Sequence, residues 1–115
     1  MIITKSSTEI AIMRIAGSIV AAVLEELRKM IHPGITTAEL DVKAEYLTKK
    51  YHAIPAFKGY NGFPASLCAS VNEEVVHGIP GNRTLKKGDI VGLDFGVIYK
   101  DFYADSAITV PVGEV

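Results

Sequence analysis

Apolar residues in the first part of the chain recur at steps of three or four, which predicts an amphipathic helix with one buried face. Ser6, followed three residues later by Glu9, has the form of a capping box, so we expect the helix to begin there. Gly17 on its flank costs about 1 kcal/mol relative to alanine and is expected to mark close packing on a neighbour. The predicted stripe is Ile12, Ala16, Ile19, Val23, Leu27 and Met30.

A second helix is predicted after the helix-breaking run His32-Pro33-Gly34. Thr36 is its expected N-cap, with Glu39 three residues later. The apolar stripe of this helix is Leu40, Ala44, Leu47 and Tyr51. Both helices are interpreted as scaffold.

The second part of the chain changes to residues typical of strands. Residues 67–71 read as a short strand, and residues 89–99 and 102–110, rich in Ile, Val, Phe and Tyr, read as two longer ones. Lys100-Asp101 is the predicted two-residue turn between the longer strands. Together with the helices, this pattern predicts an α+β fold in which two helices pack on an antiparallel sheet.

Two aspartates stand within this predicted hairpin. If Tyr99 lies opposite Phe102, then Asp94 and Asp105 fall on the same face, one diagonal step apart, at about 7–8 Å between backbones. Aspartate is depleted in strand interiors, yet Asp94 lies between two large apolar residues. Such a pair can bind two metal ions about 3.5–4 Å apart or serve as acid and base. The alternative is a pair of ordinary carboxylates that face water.

Residues 53–67 contain two Pro, two Gly and three aromatic residues, so they cannot form a long helix. They form either a surface loop or the wall of a ligand pocket. Further along, His77 stands between an apolar pair and a Gly-Ile-Pro turn. It is either a structural histidine or a group that carries a proton in a cleft.

Composition excludes several classes of protein. The chain of 115 residues is long enough for one domain, which we assign to residues 1–115. It is 49% hydrophobic with a net charge of −1, which argues against binding to nucleic acid or to an anionic membrane. A single cysteine, Cys68, excludes an internal disulfide. We expect a cytoplasmic protein, because the start does not resemble a signal peptide and residues 15–24 are too short to span a bilayer.

Three ordered motifs, which cover essentially the whole chain, resemble the N-terminal half of the type I methionine aminopeptidases. They are Pro-Ala-Phe-Lys-Gly-Tyr at 55–60, the run Cys-Ala-Ser-Val-Asn-Glu-Glu-Val-Val-His-Gly-Ile-Pro at 68–80, and the segment from Gly88 through Asp94 to Asp105. This resemblance implies half of a pita-bread fold, the fold of creatinase and the aminopeptidases. It also implies removal of the initiator methionine from nascent proteins by a metal-activated water.

The resemblance assigns roles to individual residues. Asp94 would bind one of two divalent ions (Co, Mn, Fe or Zn) and Asp105 would bridge both. His77 would contact the scissile amide of the substrate. Tyr60, Phe63 and Cys68 would line the pocket for the methionine side chain.

In this family a later half of the fold supplies a further histidine and two glutamates as metal ligands, and a second catalytic histidine. This chain as printed carries part of that site, so we expect it to be inactive alone and to leave an apolar sheet face uncovered. Its partners would be N-terminal methionine and either the missing half or a second copy in a half-domain homodimer. A non-catalytic binding module of the same fold is the remaining alternative.

Overall fold

The described residues of this computed structural model, 6–59, 65–72 and 79–113, contain two helices followed by four strands. The helices are α1 (Ser7–Met30) and α2 (Thr37–Lys50). The strands are β1 (Ile54–Pro55), β2 (Leu67–Val71), β3 (Ile90–Tyr99) and β4 (Phe102–Pro111). The predicted order and type of these elements are confirmed, with β1 as an addition that the sequence did not reveal.

The capping box of α1 is confirmed. The Ser6 hydroxyl accepts a hydrogen bond from the Glu9 amide at 3.1 Å, and the Glu9 carboxylate accepts one from the Ser6 amide at 3.0 Å. Of the predicted stripe, Ala16, Ile19, Val23 and Leu27 are buried, and Val20 and Leu24 widen it. At its two ends Ile12 and Met30 are half-buried. Our expectation for Gly17 was wrong. It is exposed, and among the described residues no atom of another element lies within 4 Å of the position that a Cβ would take.

Helix α2 begins as predicted, with the Thr36 hydroxyl accepting from the Glu39 amide at 3.2 Å. Leu40, Ala44 and Leu47 are buried, but the prediction for Tyr51 was wrong, since this side chain is 38% exposed. The reason is that the helix ends at Lys50. Tyr51 is the C-cap residue, with φ −87° and ψ 7°, and so departs from the periodicity of the stripe.

Strand β3 is the centre of the antiparallel sheet. It pairs with β4 along one edge over its full length, while β2 and β1 share its other edge. The predicted register is confirmed, because Tyr99 lies opposite Phe102. Lys100 and Asp101 both have positive φ, 46° and 70°, as a type I′ hairpin turn requires.

The two faces of the sheet differ. Val91, Leu93, Phe95 and Val97 of β3 are fully buried on the face that α1 covers. The opposite face, here called the open face, carries the alternate residues of the same strand. The sheet therefore places its core on one side and leaves the other side for chemistry. No helix among the described residues has the length and hydropathy to cross a membrane.

Candidate metal centre on the open face of the sheet

The hairpin register brings the two candidate carboxylates to one place on the open face. Asp94 lies opposite Ala107, and Asp105 lies opposite Gly96, so the two aspartates are diagonal neighbours, as predicted. On the other side of β3, Cys68 of β2 pairs directly with Asp94. Three adjacent strands thus contribute one predicted site residue each to a single patch of the sheet.

The electrostatics of this patch favour a bound cation. Partial burial of its charge and the nearby charge of Asp105 raise the pKa of Asp94 above its ordinary value. Two carboxylates that repel each other are stabilised when a divalent cation lies between them. Their hard oxygen atoms also suit such ions. The two side chains therefore fit a metal site.

The ligand set in the described part of the chain is partial. Within residues 6–59, 65–72 and 79–113, no three His, Cys, Asp or Glu side chains lie close enough to hold one metal ion, so Cys68 shares the patch with the two aspartates but does not form a three-ligand group with them. A binuclear site ordinarily needs more protein ligands than two carboxylates. Any further ligands of such a site would therefore come from outside the described residues.

Strand β2, which carries Cys68, is fixed to α2 by a carboxylate. One oxygen of Asp41 accepts hydrogen bonds from the backbone amides of Ser66 at 2.8 Å and of Leu67 at 2.9 Å. Both residues are fully buried, so these amides lack water as an alternative partner. Asp41 thereby sets where β2 begins. The sequence did not reveal this role, since Asp41 looks like any polar residue of a surface helix.

Strand β2 ends at an equally defined point. Asn72, with φ 56°, donates from its side-chain amide to the Asp89 carboxylate at 3.0 Å and accepts from the Ile90 amide at 2.9 Å. The hydrogen bond from Asn72 and a second one from the Lys86 amide lower the pKa of Asp89. Asn72 thus joins the end of β2 to the start of β3.

Residues 79–85 are fixed to the start of α2. The Thr37 hydroxyl accepts from the Gly81 amide at 2.8 Å and donates to the Gly81 carbonyl at 3.1 Å. The Leu85 amide also donates to the Ile35 carbonyl at 2.8 Å. The chain is therefore held by specific hydrogen bonds on both sides of residues 73–78.

The structure treats the predicted site residues in two groups. Asp94, Asp105 and Cys68 are brought together on the open face. Tyr60, Phe63 and His77 lie outside the described residues, so their assigned roles stay predictions.

The expectation of an apolar uncovered face needs correction, because the open face is mixed. Ile54, Ile90 and Tyr103 are exposed there, at 62%, 52% and 72%. The carboxylates of Asp94 and Asp105 lie between these apolar positions, since they occupy the middle of the strands. A surface of this kind combines a polar centre with an apolar margin.

Comparison with known proteins decides the family. Residues 11–115 match the profile described as "Metallopeptidase family M24". The chain belongs to metallopeptidase family M24. Membership in this M24 family implies divalent metal cofactors, in agreement with the chemistry of the carboxylate pair.

Relatives of this M24 chain are aminopeptidases. It is 58% identical over 115 residues to methionine aminopeptidase 1 of Bacillus subtilis and 54% identical over 116 residues to a methionine aminopeptidase of Clostridium acetobutylicum. In both comparisons the whole chain is covered, together with 46% of the relative. The M24 chain thus spans about half the length of these relatives.

Solved structures of methionine aminopeptidases and of a prolidase share the fold of this chain. A methionine aminopeptidase from Rickettsia prowazekii, 37% identical, superposes with a TM-score of 0.94 over 100% of this chain and 46% of its own. A methionine aminopeptidase from Thermotoga maritima, 46% identical, has a TM-score of 0.93 and covers 99% of this chain and 46% of its own. A prolidase from Pyrococcus furiosus, 26% identical, has a TM-score of 0.82 and covers 96% of this chain and 31% of its own. The prediction of half of a pita-bread fold is confirmed.

Proposed function

We propose that this chain is the N-terminal half of the catalytic domain of a methionine aminopeptidase, with residues 1–115 forming one domain. The proposed activity is removal of the initiator methionine from nascent proteins in the cytoplasm. The observation that carries the proposal is the placement of Asp94 and Asp105 as diagonal neighbours on the open face of an M24 sheet. On this proposal the chain alone is inactive, because it supplies part of the ligand set.

Sequence identity favours methionine over proline as the specificity of the parent enzyme. Relatives named methionine aminopeptidase range from 26% to 58% identity to this chain, and several of them reach 46% or more. The proline-directed structures, a prolidase and an Xaa-Pro dipeptidase, reach 26% and 27%. The proposed substrate is therefore a peptide or nascent protein with N-terminal methionine.

The two carboxylates would hold the metal ions. Asp94 would bind one ion, and Asp105 would bind both. Co, Mn, Fe and Zn all suit a site with carboxylate and imidazole ligands. When bound, such ions supply Lewis-acid chemistry that activates water and polarises the scissile carbonyl. The raised pKa of Asp94 fits this role, since a carboxylate destabilised by its neighbour gains from a divalent cation.

Other residues of the chain would bind and orient the substrate. Cys68, half-buried and directly opposite Asp94, would line the methionine pocket next to the metal ligands. Tyr60 and Phe63 would complete the pocket, and His77 would donate a hydrogen bond or a proton at the scissile amide. The partner that completes the site would be the second half of the fold or, in the alternative arrangement, a second copy of this chain.

Metal binding to the chain tests the proposal directly. We expect Mn²⁺ to bind with an affinity measurable by paramagnetic line broadening in NMR spectra. The broadening centres on residues 94 and 105 and is lost in Asp94→Asn and in Asp105→Asn. Asp101→Asn is the matched control, because Asp101 is an exposed aspartate of the same hairpin, and this variant should bind as the parent does.

Two results would overturn the proposal. One is that neither Mn²⁺ nor Co²⁺ changes the spectra or the thermal midpoint. That result is the one expected of a non-catalytic binding module. The other is broadening that persists in both aspartate variants. Hydrolysis of a Met-Ala peptide by the chain alone, lost in Asp94→Ala, would instead indicate that two copies build a complete site.

A further inference from the structure

Two glycines flank Asp94 on the open face, but their surroundings differ. Gly92 and Gly96 lie two residues to either side of Asp94 on β3, so all three share one face. A Cβ atom built on Gly92 would have as its nearest described neighbour the Ser70 carbonyl oxygen at 3.8 Å, an ordinary contact. The position at Gly92 therefore tolerates a side chain.

A Cβ atom built on Gly96 would meet three groups at once. It would lie 3.2 Å from the Ala104 carbonyl oxygen, 3.2 Å from the Asp105 Cβ and 3.3 Å from a ring carbon of Phe57. Directly opposed residues of an antiparallel pair ordinarily hold their Cβ atoms about 4.5–5.5 Å apart. Asp105, which pairs with Gly96, thus leans over the space that a side chain at Gly96 would occupy.

The ring of Phe57 is held on the other side of the same space. Strand β1 pairs Pro55 with Val97, and the Ala56 amide donates to the Gly96 carbonyl at 2.9 Å. At the next residue of the chain, the Lys58 ammonium donates to the Glu45 carboxylate of α2 at 2.8 Å. Phe57 covers Gly96, which is buried although it lies on the open face. The backbone of Asp105 is held by its pairing with Gly96, so the Asp105 Cβ moves only if the β4 backbone shifts or the strand pairing adjusts.

We propose that Gly96 is a positioning residue, whose missing side chain allows Asp105 and the Phe57 ring to lie side by side above β3. This inference rests on the proposed role of Asp105 as a metal ligand. A methyl group at Gly96 displaces the Asp105 Cβ or the β4 backbone by a few tenths of an ångström. Ligand sites are held within about 0.5 Å of their productive geometry, so a shift of this size at the Cβ, enlarged at the carboxylate end of the side chain, is comparable to the whole tolerance and weakens the site.

The first test compares Gly96→Ala with Gly92→Ala, its matched control on the same strand and face. Gly96→Ala lowers the affinity for Mn²⁺ about tenfold or more, as changes around metal ligands commonly do, while Gly92→Ala leaves it unchanged. Equal Mn²⁺ affinities in the two variants would overturn the inference. The affinity is measured by NMR titration, and the retained fold is checked by circular dichroism.

A second readout needs no metal. Three-bond couplings from the backbone nitrogen and carbonyl carbon to the Asp105 carboxyl carbon report the side-chain rotamer of Asp105. These couplings change in Gly96→Ala and stay constant in Gly92→Ala. If the parent chain binds no Mn²⁺, the proposed function fails, and the couplings still decide the role of Gly96. Couplings that match in both variants would refute it.

A third variant covers the case in which Gly96→Ala does not fold. Phe57→Ala removes the ring from one side of the space, so the double variant Phe57→Ala/Gly96→Ala is less crowded. The Asp105 Cβ and the Ala104 carbonyl still lie close to the added methyl group. The Asp105 couplings therefore differ between the double variant and Phe57→Ala alone, and identical couplings would contradict the proposal.

Discussion

Replacing Asp41 with alanine is expected to destabilise the fold more than replacing any ordinary surface carboxylate. The Asp41 carboxylate accepts two backbone hydrogen bonds, at 2.8 and 2.9 Å, from residues that are fully buried. Hydrogen bonds to a charged group contribute about 1.5–3 kcal/mol each, and the two orphaned amides gain little from water. Asp41 itself is partly exposed, so we take the lower value for each bond and expect a loss of about 3 kcal/mol.

That loss is large against the 5–15 kcal/mol of total stability that is typical of small proteins. Asp41→Asn keeps an acceptor oxygen without the charge and should lose about 1 kcal/mol. Urea unfolding followed by circular dichroism measures both values. In native-state hydrogen exchange, the Ser66 and Leu67 amides should lose protection in Asp41→Ala.

The control for this prediction is Glu26→Ala on α1. The Glu26 carboxylate lies 3.5 Å from the Lys29 ammonium in an exposed ion pair, so its loss should change stability by about 0.5 kcal/mol or less. If Asp41→Ala costs no more than Glu26→Ala, then the two amides find other partners. The assignment of Asp41 as the anchor of β2 would then be wrong.

Three further changes have definite expected results. Burial and the charge of Asp105 raise the pKa of Asp94, so the folded chain binds a proton at Asp94 more tightly than the unfolded chain does. The contribution of Asp94 to the free energy of unfolding therefore falls as the pH rises from the ordinary pKa of 3.8 through the raised pKa. Metal-free Asp94→Asn should therefore unfold at a higher urea concentration than the parent at pH 7 and lose this advantage at pH 3. Gly17→Ala should stabilise the chain by about 0.5–1 kcal/mol in urea unfolding, since Gly17 lies in an exposed helical position with open space around it. Lys100→Asn/Asp101→Gly should raise the thermal midpoint, with a gain of about 1 kcal/mol, because both positions have positive φ; an unchanged midpoint would show that the turn is unstrained.

The sheet and its register were predictable because strand side chains alternate and the connecting turn is short. With two residues between the long strands, pairing Tyr99 with Phe102 fixes every other pair, including the positions of Asp94 and Asp105. The helix starts were predictable for a similarly local reason. A capping side chain and its amide partner lie three residues apart, so the sequence contains the whole interaction.

Long-range contacts were not predictable from the sequence. The Asp41 carboxylate and the Ser66 amide are 25 positions apart, and no local pattern connects them. The crowding at Gly96 depends on where β1 places Phe57, and a two-residue strand has too little periodicity to be recognised. Gly17 shows the same limit from the other side. The sequence predicted that Gly17 packs closely on a neighbour, but the space around this residue is open.

The alternation along β3 explains why a destabilised carboxylate can persist on this sheet. Leu93 and Phe95, the two neighbours of Asp94 along the chain, are fully buried on the helix-covered face. Their packing fixes the backbone, so Asp94 must point to the open face whatever its own interactions cost. The same core therefore holds two like charges in proximity without being stabilised by them. A site built in this way favours a divalent cation, because the repulsion between the two carboxylates in the metal-free state is relieved on binding.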